Sequence, residues 1–235
     1  MPATYHRRGT DPDIAETAAL IGDRVRAQML LALLDGGELP ASELAFRGGS
    51  SRQAASAHLS KLVEGGLLAV HASGRHRLFK LASRDVAEAL ERLVIVAKPA
   101  RIVALGQSET MQRLREARSC YDHLAGRIGV LVTERLVDKK ALALQGDDFR
   151  LTRSGERLFS ELGVNVEAAR EHRRSFARVC IDWTERRPHL AGSLGACVLK
   201  FVVAKRWLIR NPHDRSLQLT PDGRSELARR LHIRV

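Results

Sequence analysis

Residues Ser42 to Leu81 read SELAFRGGSSRQAASAHLSKLVEGGLLAVHASGRHRLFKL. The stretch predicts a short helix from Ser42 to Arg47, a tight turn at Gly48-Gly49 and a second helix capped by Ser50 or Ser51. Ala54, Ala55, Leu59 and Leu62 give that second helix an inward face, and Gly65-Gly66 ends it. Leu67–Val70 and Leu78–Leu81 then predict a two-stranded hairpin whose tip is Ala72-Ser73-Gly74. Two helices followed by a hairpin with a basic tip is the layout of a winged helix-turn-helix. That layout predicts a helix placed in the major groove of double-stranded DNA.

The outward positions fit this expectation. Ser51, Arg52, Gln53, Ser56, His58 and Lys61 face away from the predicted core. Arginine and glutamine near the helix start can form paired hydrogen bonds with guanine and adenine edges. The serines and the helix N-terminus suit phosphate contact. Arg75 and Arg77 follow the wing tip and predict contact with the flanking minor groove or backbone. Between Ser50 and Lys80 the charges are Arg52, Lys61, Arg75, Arg77 and Lys80 against Glu64 alone. The competing reading is a winged helix used only for protein contact. The few bulky apolar residues on its outward face argue against that.

Upstream, Ile14–Leu34 is helical in pattern, with Leu20, Val25, Met29 and Leu33 in register and a break expected at Gly22-Asp23. Downstream, Arg84–Val96 predicts a helix capped by Ser83 with an apolar stripe of Val86, Leu90, Leu93 and Val94. Gln53, Ser56, His58, Leu59, Leu62, Gly66, Leu67, Gly74, Arg75 and Phe79 together resemble the ArsR-type family of bacterial repressors, over about residues 14–98. The resemblance implies a homodimer that holds operator DNA and releases it when an inducer binds, with the first helix and the helix after the wing forming the dimer contact. The chain departs from the family's metal-sensing patterns. Its helix before the reader carries Glu43-Leu44-Ala45-Phe46 without cysteine, and Arg84–Val96 carries no histidine. An inducer is therefore expected to act on the remaining half of the chain.

Composition agrees with a DNA-facing protein. The formal net charge is +12 over 235 residues, which points to a polyanionic partner. Residues 1–98 carry 13 Lys and Arg against 11 Asp and Glu, whereas residues 99–235 carry 26 against 16. The reader is thus locally basic and the second half basic throughout. No apolar run is long enough to span a bilayer, and residues 1–13 have no apolar core of a secretory signal. They are expected to form a flexible tail, and the protein to be cytoplasmic. Cys120, Cys180 and Cys197 are too few for a disulfide framework.

Residues 99–235 repeat themselves. Ala117–Asp122 (ARSCYD) matches Ala177–Asp182 (ARVCID), and His123-Leu124-Ala125-Gly126 matches His189-Leu190-Ala191-Gly192. Gly129 matches Gly195, and Leu151–Gly155 (LTRSG) matches Leu219–Gly223 (LTPDG). Two units of helix, helix, hairpin and helix are expected, at about 109–165 and 170–235, each winged-helix-like. The hairpins are placed at Ala141–Leu151 and Trp207–Leu219. The expected fold is mainly α with small β-hairpins: a winged helix-turn-helix domain at 14–98, then a duplicated domain at 99–235.

Cys120, His123, Cys180 and His189 are the repeated chemistry, and a Cys₂His₂ metal site between the units is one reading. Cys120 and His123 would share a face if helical. A redox-responsive thiol is a second reading. A small organic effector ringed by Tyr121, Trp183 and Arg187, with His123 and His189, is a third. The plain alternative is core packing, which duplication copies as faithfully as ligands. No catalytic residues are expected, since the chain has no nucleophile elbow, phosphate-cradling glycine loop or paired metal motif. The sequence therefore predicts a DNA-binding repressor with a C-terminal sensor. An architectural DNA binder without inducer is the first rival. An enzyme with a regulatory winged helix, its site near Asp182–His189, is the second.

Overall fold

The computed structural model describes residues 12–74, 76–98 and 105–235. The tail before Pro12, the junction at 99–104 and Arg75 lie outside the described residues. Two compact units are present: Met1–Leu33 with Gly37–Val86, and Leu34–Gly36 with Ala87–Val235.

In the first unit, α1 (Ile14–Ile21) and α2 (Arg24–Ala32) are separate helices. The break falls at Gly22-Asp23, as the sequence predicts. Gly22 ends α1, and the Asp23 carboxylate caps α2 by accepting from the Arg26 amide at 2.9 Å. The Arg26 guanidinium donates back to the carbonyls of Leu20 and Ala19 at 2.6 and 2.8 Å, so the open end of α1 is satisfied from α2. A two-residue strand β1 (Leu39–Pro40) precedes α3 (Ala41–Gly48). Gly49, at φ +64°, closes α3 in the left-handed geometry that glycine reaches without strain. Then follow α4 (Arg52–Glu64), β2 (Leu68–Ser73) and β3 (His76–Leu81). The antiparallel sheet has the order β1-β3-β2. The wing is longer than the sequence suggests, because both strands run up to the tip, with Ser73 opposite His76. Met29, Leu30, Leu33, Leu44, Leu59, Leu62, Leu68 and Phe79 fill the core.

Helix α5 (Arg84–Val96) has its N-terminus capped by Ser83, whose hydroxyl accepts from the Val86 amide at 3.3 Å. From Ala87 onward it belongs to the second unit. There Arg215 pairs with Glu91 at 2.8 Å, and Arg186 donates to the Ile95 carbonyl at 2.7 Å. Leu90 of the expected apolar stripe is buried within the chain, while Leu93 and Val96 are exposed.

The rest of the second unit runs α6 (Leu105–Glu116), β4 (Arg118–Cys120), β5 (His123–Ala125), α7 (Gly126–Asp138), β6 (Leu142–Gln145), β7 (Asp148–Leu151) and α8 (Arg153–Leu162). It continues with α9 (Val166–Arg170), β8 (Arg178–Ile181), β9 (Pro188–Ala191), α10 (Gly192–Ala204), β10 (Leu208–Arg210), β11 (Leu217–Leu219) and α11 (Pro221–Leu231). The hairpins expected near Ala141–Leu151 and Trp207–Leu219 are present. Cys120 and His123 are not on a helix: Arg118–Ala125 is a two-stranded hairpin with Cys120 directly opposite His123. Cys180 is likewise opposite His189 across β8 and β9. Every residue of β4 and β5 is buried, so the alternation that marks a strand is lost there. The Asp182–His189 segment is the turn and the start of the return strand of this second hairpin.

The strands pair as β6-β7-β8-β9, β4-β5 and β10-β11. Helix α7 packs on β9 and α10 packs on β5. Ile128, Val132 and Leu136 of α7 and Leu194, Val198 and Val202 of α10 recur every four residues and meet in one core with Phe149, Phe159 and Trp207.

The repeated Leu-Thr-x-x-Gly sequences have a concrete task. Thr152 and Thr220 cap α8 and α11, accepting from the amides of Gly155 and Gly223 at 3.1 and 2.9 Å. The same hydroxyls donate to carbonyls two residues past the preceding helices, Lys140 at 2.6 Å and Arg206 at 2.9 Å. A Cβ on Gly223 would lie 2.1 Å from the Trp207 carbonyl oxygen, and on Gly155 2.2 Å from that of Ala141. Backbone cannot yield as a side chain does. Gly223→Ala is therefore expected to destabilise the second unit by about 1–3 kcal/mol. Urea denaturation checks this; an unchanged midpoint would show that the strand backs away without penalty.

Candidate functional site

Helix α4 carries the first site. Ser51 is its cap, accepting from the Ala54 amide at 3.2 Å, which anchors the helix start. Ala55, Leu59 and Leu62 are buried as the sequence predicts, and the first turn thus faces outward. Arg52, Gln53, Ser56 and Lys61 are exposed, and among the described residues none is held by an ion pair or side-chain hydrogen bond. Two expectations need correction. Ala54 is exposed, because the helix meets the core only through the stripe led by Ala55. His58 is half-buried and turned onto the Asp23 carboxylate, with Nδ1 at 3.6 Å. It sits against the cap of α2 rather than on the open face. On the wing, Arg77 is exposed and its guanidinium lies 5.6 Å from the Phe79 ring centroid. Glu38 takes His71 at 3.3 Å and Lys80 at 3.1 Å, fixing the wing base. Arg75 lies outside the described residues.

The second site lies in the β4–β5 and β8–β9 hairpins. The ligand-capable atoms of Cys120, His123, Cys180 and His189 all lie within 4.8 Å of one another. The four residues are 2, 3, 8 and 0% exposed. The two sulfurs are 3.9 Å apart and both cysteines are free thiols. The two imidazoles stack with centroids 5.0 Å apart. His123 Nδ1 faces the Asp122 carboxylate at 3.4 Å, and Arg174 pairs with the other Asp122 oxygen. His123 Nε2 and both ring nitrogens of His189 are buried with no hydrogen-bond partner among the described residues.

The electrostatics follow from this crowding. The hydrogen bond between the thiols and burial push Cys120 well up, while the same bond, with His123 and His189, holds Cys180 far down. The pair thus favours the thiolate at Cys180, set against the two imidazoles. Burial alone would lower the His123 imidazole, but Asp122 and Cys180 outweigh it and raise it to about 9. Burial would raise Asp122; His123 and Arg174 instead bring it to about 2.

Beside the cluster is an ion pair that the sequence did not reveal. Arg118 and Asp182 are both fully buried and meet at 2.8 Å. Burial would raise the Asp182 carboxyl; Arg118, Thr184 and the amides of Glu185 and Gly126 hold it well below the usual range. Arg118 also lies 4.7 Å from the Trp183 ring centroid. Tyr121 occupies the β4–β5 turn at φ +54°, and exposed Arg187 pairs with Glu134. Two clefts of about 470 and 390 Å³ open elsewhere in this unit, at Gln145–Phe176 and Leu131–Arg234. Neither is lined by Tyr121, Trp183 or Arg187.

A capped reading helix with a free polar face, beside a basic wing on a three-stranded sheet, defines a winged helix-turn-helix transcriptional regulator. A sequence profile of the MarR family matches residues 23–77, from the cap of α2 through the wing. Over 225 residues the chain is 39% identical to the uncharacterized HTH-type transcriptional regulator YdfF of Bacillus subtilis strain 168, covering 96% of this chain and 100% of that protein. The chain therefore belongs to the helix-turn-helix transcriptional regulators. Solved structures resemble shorter stretches. Reduced HlyU from Vibrio cholerae is 30% identical with a TM-score of 0.32, over 34% of this chain and 83% of its own. The cadmium metal-sensor CMTR from Mycobacterium tuberculosis is 34% identical with a TM-score of 0.31, over 39% and 98%. No helix among the described residues is long and apolar enough to cross a membrane.

Proposed function

We propose that this regulator is a repressor of the ArsR-type kind, which reads a palindromic operator as a homodimer. The domain at 14–98 reads DNA and the domain at 99–235 senses the effector. The observation that carries the reading is the free face of α4, where Arg52, Gln53, Ser56 and Lys61 stand exposed and unengaged among the described residues. Arg77 adds a phosphate contact from the wing, as does Arg75 by its place in the sequence. Exposed Leu93 and Val96 on α5 and Ile14 on α1 supply apolar surface for a second copy. The sensor domain is read as two tandem winged-helix-like units. The paired Cys, His-Leu-Ala-Gly and Leu-Thr-x-x-Gly sequences support that: each cysteine stands opposite its histidine across a hairpin, and each threonine caps the following helix. An effector there would need a coupling of about 1–3 kcal/mol to switch DNA affinity usefully. The setting is cytoplasmic, where thiols stay reduced.

Selection of the full chain on a random duplex library tests the reading. Enrichment of an inverted repeat with half-sites about one helical turn apart is the expected result. Recovery of no motif, with one affinity for all duplexes and a steep salt slope, would replace it with an architectural binder.

A further inference from the structure

We propose that Cys120, His123, Cys180 and His189 form a closed tetrahedral Zn²⁺ site that ties the β4–β5 hairpin to the β8–β9 hairpin. Buried imidazole nitrogens normally find a hydrogen-bond partner. Here His123 Nε2 and both nitrogens of His189 have none among the described residues, and the two residues are 3 and 0% exposed. Three orphaned ring nitrogens against two thiols make a poor apolar core. They make a good donor set, because a metal ion takes the lone pairs that the protein leaves unused.

The distances fit the ion. Zinc–sulfur bonds of about 2.3 Å at the tetrahedral angle place two sulfurs about 3.8 Å apart. Cys120 and Cys180 are 3.9 Å apart, and all four donors lie within 4.8 Å of one another. A disulfide would need the sulfurs at about 2.0 Å. Each hairpin offers its cysteine and histidine as directly opposed cross-strand neighbours, so a ligand pair is fixed by register on each side.

The surroundings fit as well. Asp122 faces His123 Nδ1, so with the ion bound Nδ1–H would donate to the carboxylate and Nε2 would offer its lone pair. Arg174 holds the other side of that carboxylate. This carboxylate–histidine relay orients a ligand and raises its basicity. Binding leaves both cysteines as thiolates and both imidazoles neutral, and the protons these groups carried pass to solvent. Two thiolates, two neutral imidazoles and Zn²⁺ sum to zero charge, which a dry interior tolerates far better than a lone thiolate. Mixed sulfur and nitrogen donors in a tetrahedron favour Zn²⁺ over Mg²⁺ or Ca²⁺, which take oxygen. Four protein ligands leave no open position, so the site is structural or regulatory and not catalytic. It is built on strands of the second unit, not on α3 or α5.

The test uses the full chain purified under reductant without chelator. Elemental analysis is expected to find about one zinc per chain. Replacement by Co²⁺ should give the intense ligand-field bands of a tetrahedral site and a thiolate-to-cobalt charge-transfer band. Cys180→Ser and His189→Ala should lose the zinc, while Cys197→Ser, whose cysteine lies outside the cluster, should keep it. If the cluster variants do not fold, the wild-type chain decides. Stripping with a strong chelator should lower its melting temperature, and Zn²⁺ should restore it. Folded wild-type protein that carries no zinc and gives no cobalt thiolate band overturns the proposal. So does zinc retained at full stoichiometry by folded Cys180→Ser, or a Cys120–Cys180 disulfide in protein handled without oxygen. None of these readouts involves DNA, so failure here leaves the operator reading to its own experiment.

Discussion

Arg118→Ala is expected to destabilise the second unit by about 3–5 kcal/mol, the range for breaking a buried ion pair from one side. Arg118 and Asp182 are both 0% exposed, and the guanidinium donates to Asp182 Oδ2 at 2.8 Å. It also donates to the Leu114 carbonyl at 3.0 Å. Its removal leaves a carboxylate in the interior without a counter-charge. Asp182→Ala should be the worse of the two. That carboxylate also accepts from the Gly126 amide at 2.6 Å, the Thr184 amide at 2.9 Å, the Thr184 hydroxyl at 2.6 Å and the Glu185 amide at 3.0 Å. All four donors lose their partner together with the guanidinium. Arg118→Lys should rescue little, since an ammonium cannot reproduce the planar fork or its stacking on Trp183. Changing the pair together to Arg118→Met and Asp182→Leu should recover part of the loss, because no buried charge remains unmatched. Urea denaturation reads the midpoint, and near-ultraviolet dichroism reads the Trp183 environment. A penalty below about 1 kcal/mol for Arg118→Ala would mean that the pair behaves like a solvated surface contact.

That ion pair also shows where sequence reading stops. The caps of α2 and α4, the Gly22-Asp23 break and the Leu-Thr-x-x-Gly turns are short-range signals. Each has a capping or closing bond within a few residues, so each is legible. Arg118 finds its partner 64 residues away, and its repeat mate does not help: Arg178 pairs with Glu88 instead. The Cys-x-x-His spacing fits a helix turn and a hairpin with a two-residue loop equally well. The choice was made by Tyr121, which adopts φ +54°, and by strands only three residues long with no exposed side. The repetition of Cys and His was nonetheless a true pointer to proximity, since it picked out four residues that lie together. On α4, the period of the apolar residues fixed the inward face but not its edges. Ala54 therefore came out on the open side, and His58 turned onto Asp23.

The open side of α4 carries the second large expected effect. Arg52→Ala and Gln53→Ala are each expected to weaken operator binding by about 1–3 kcal/mol per half-site, and to relax base preference where each side chain sits. In a homodimer each change acts twice, so the double variant should lose specific binding within the measurable range. The geometry behind this is simple. Ser51 fixes the first turn of α4 by its cap bond, and Arg52 and Gln53 are the first two exposed side chains of the helix. The N-terminal turn is the part that reaches deepest into the groove when a recognition helix docks. Arg77→Ala should behave differently. Its side chain is exposed on the wing, and a phosphate contact carries no sequence information. That variant should bind all duplexes more weakly and lower the slope of log affinity against log salt by about one for each phosphate it no longer neutralises. His58→Ala should change operator affinity less than Gln53→Ala, because the imidazole rests on Asp23. Titration of labelled operator and scrambled duplex at two salt concentrations separates the groups. Equal losses on both duplexes for Arg52→Ala and Gln53→Ala would make them phosphate contacts, and base reading would have to move to another part of the helix.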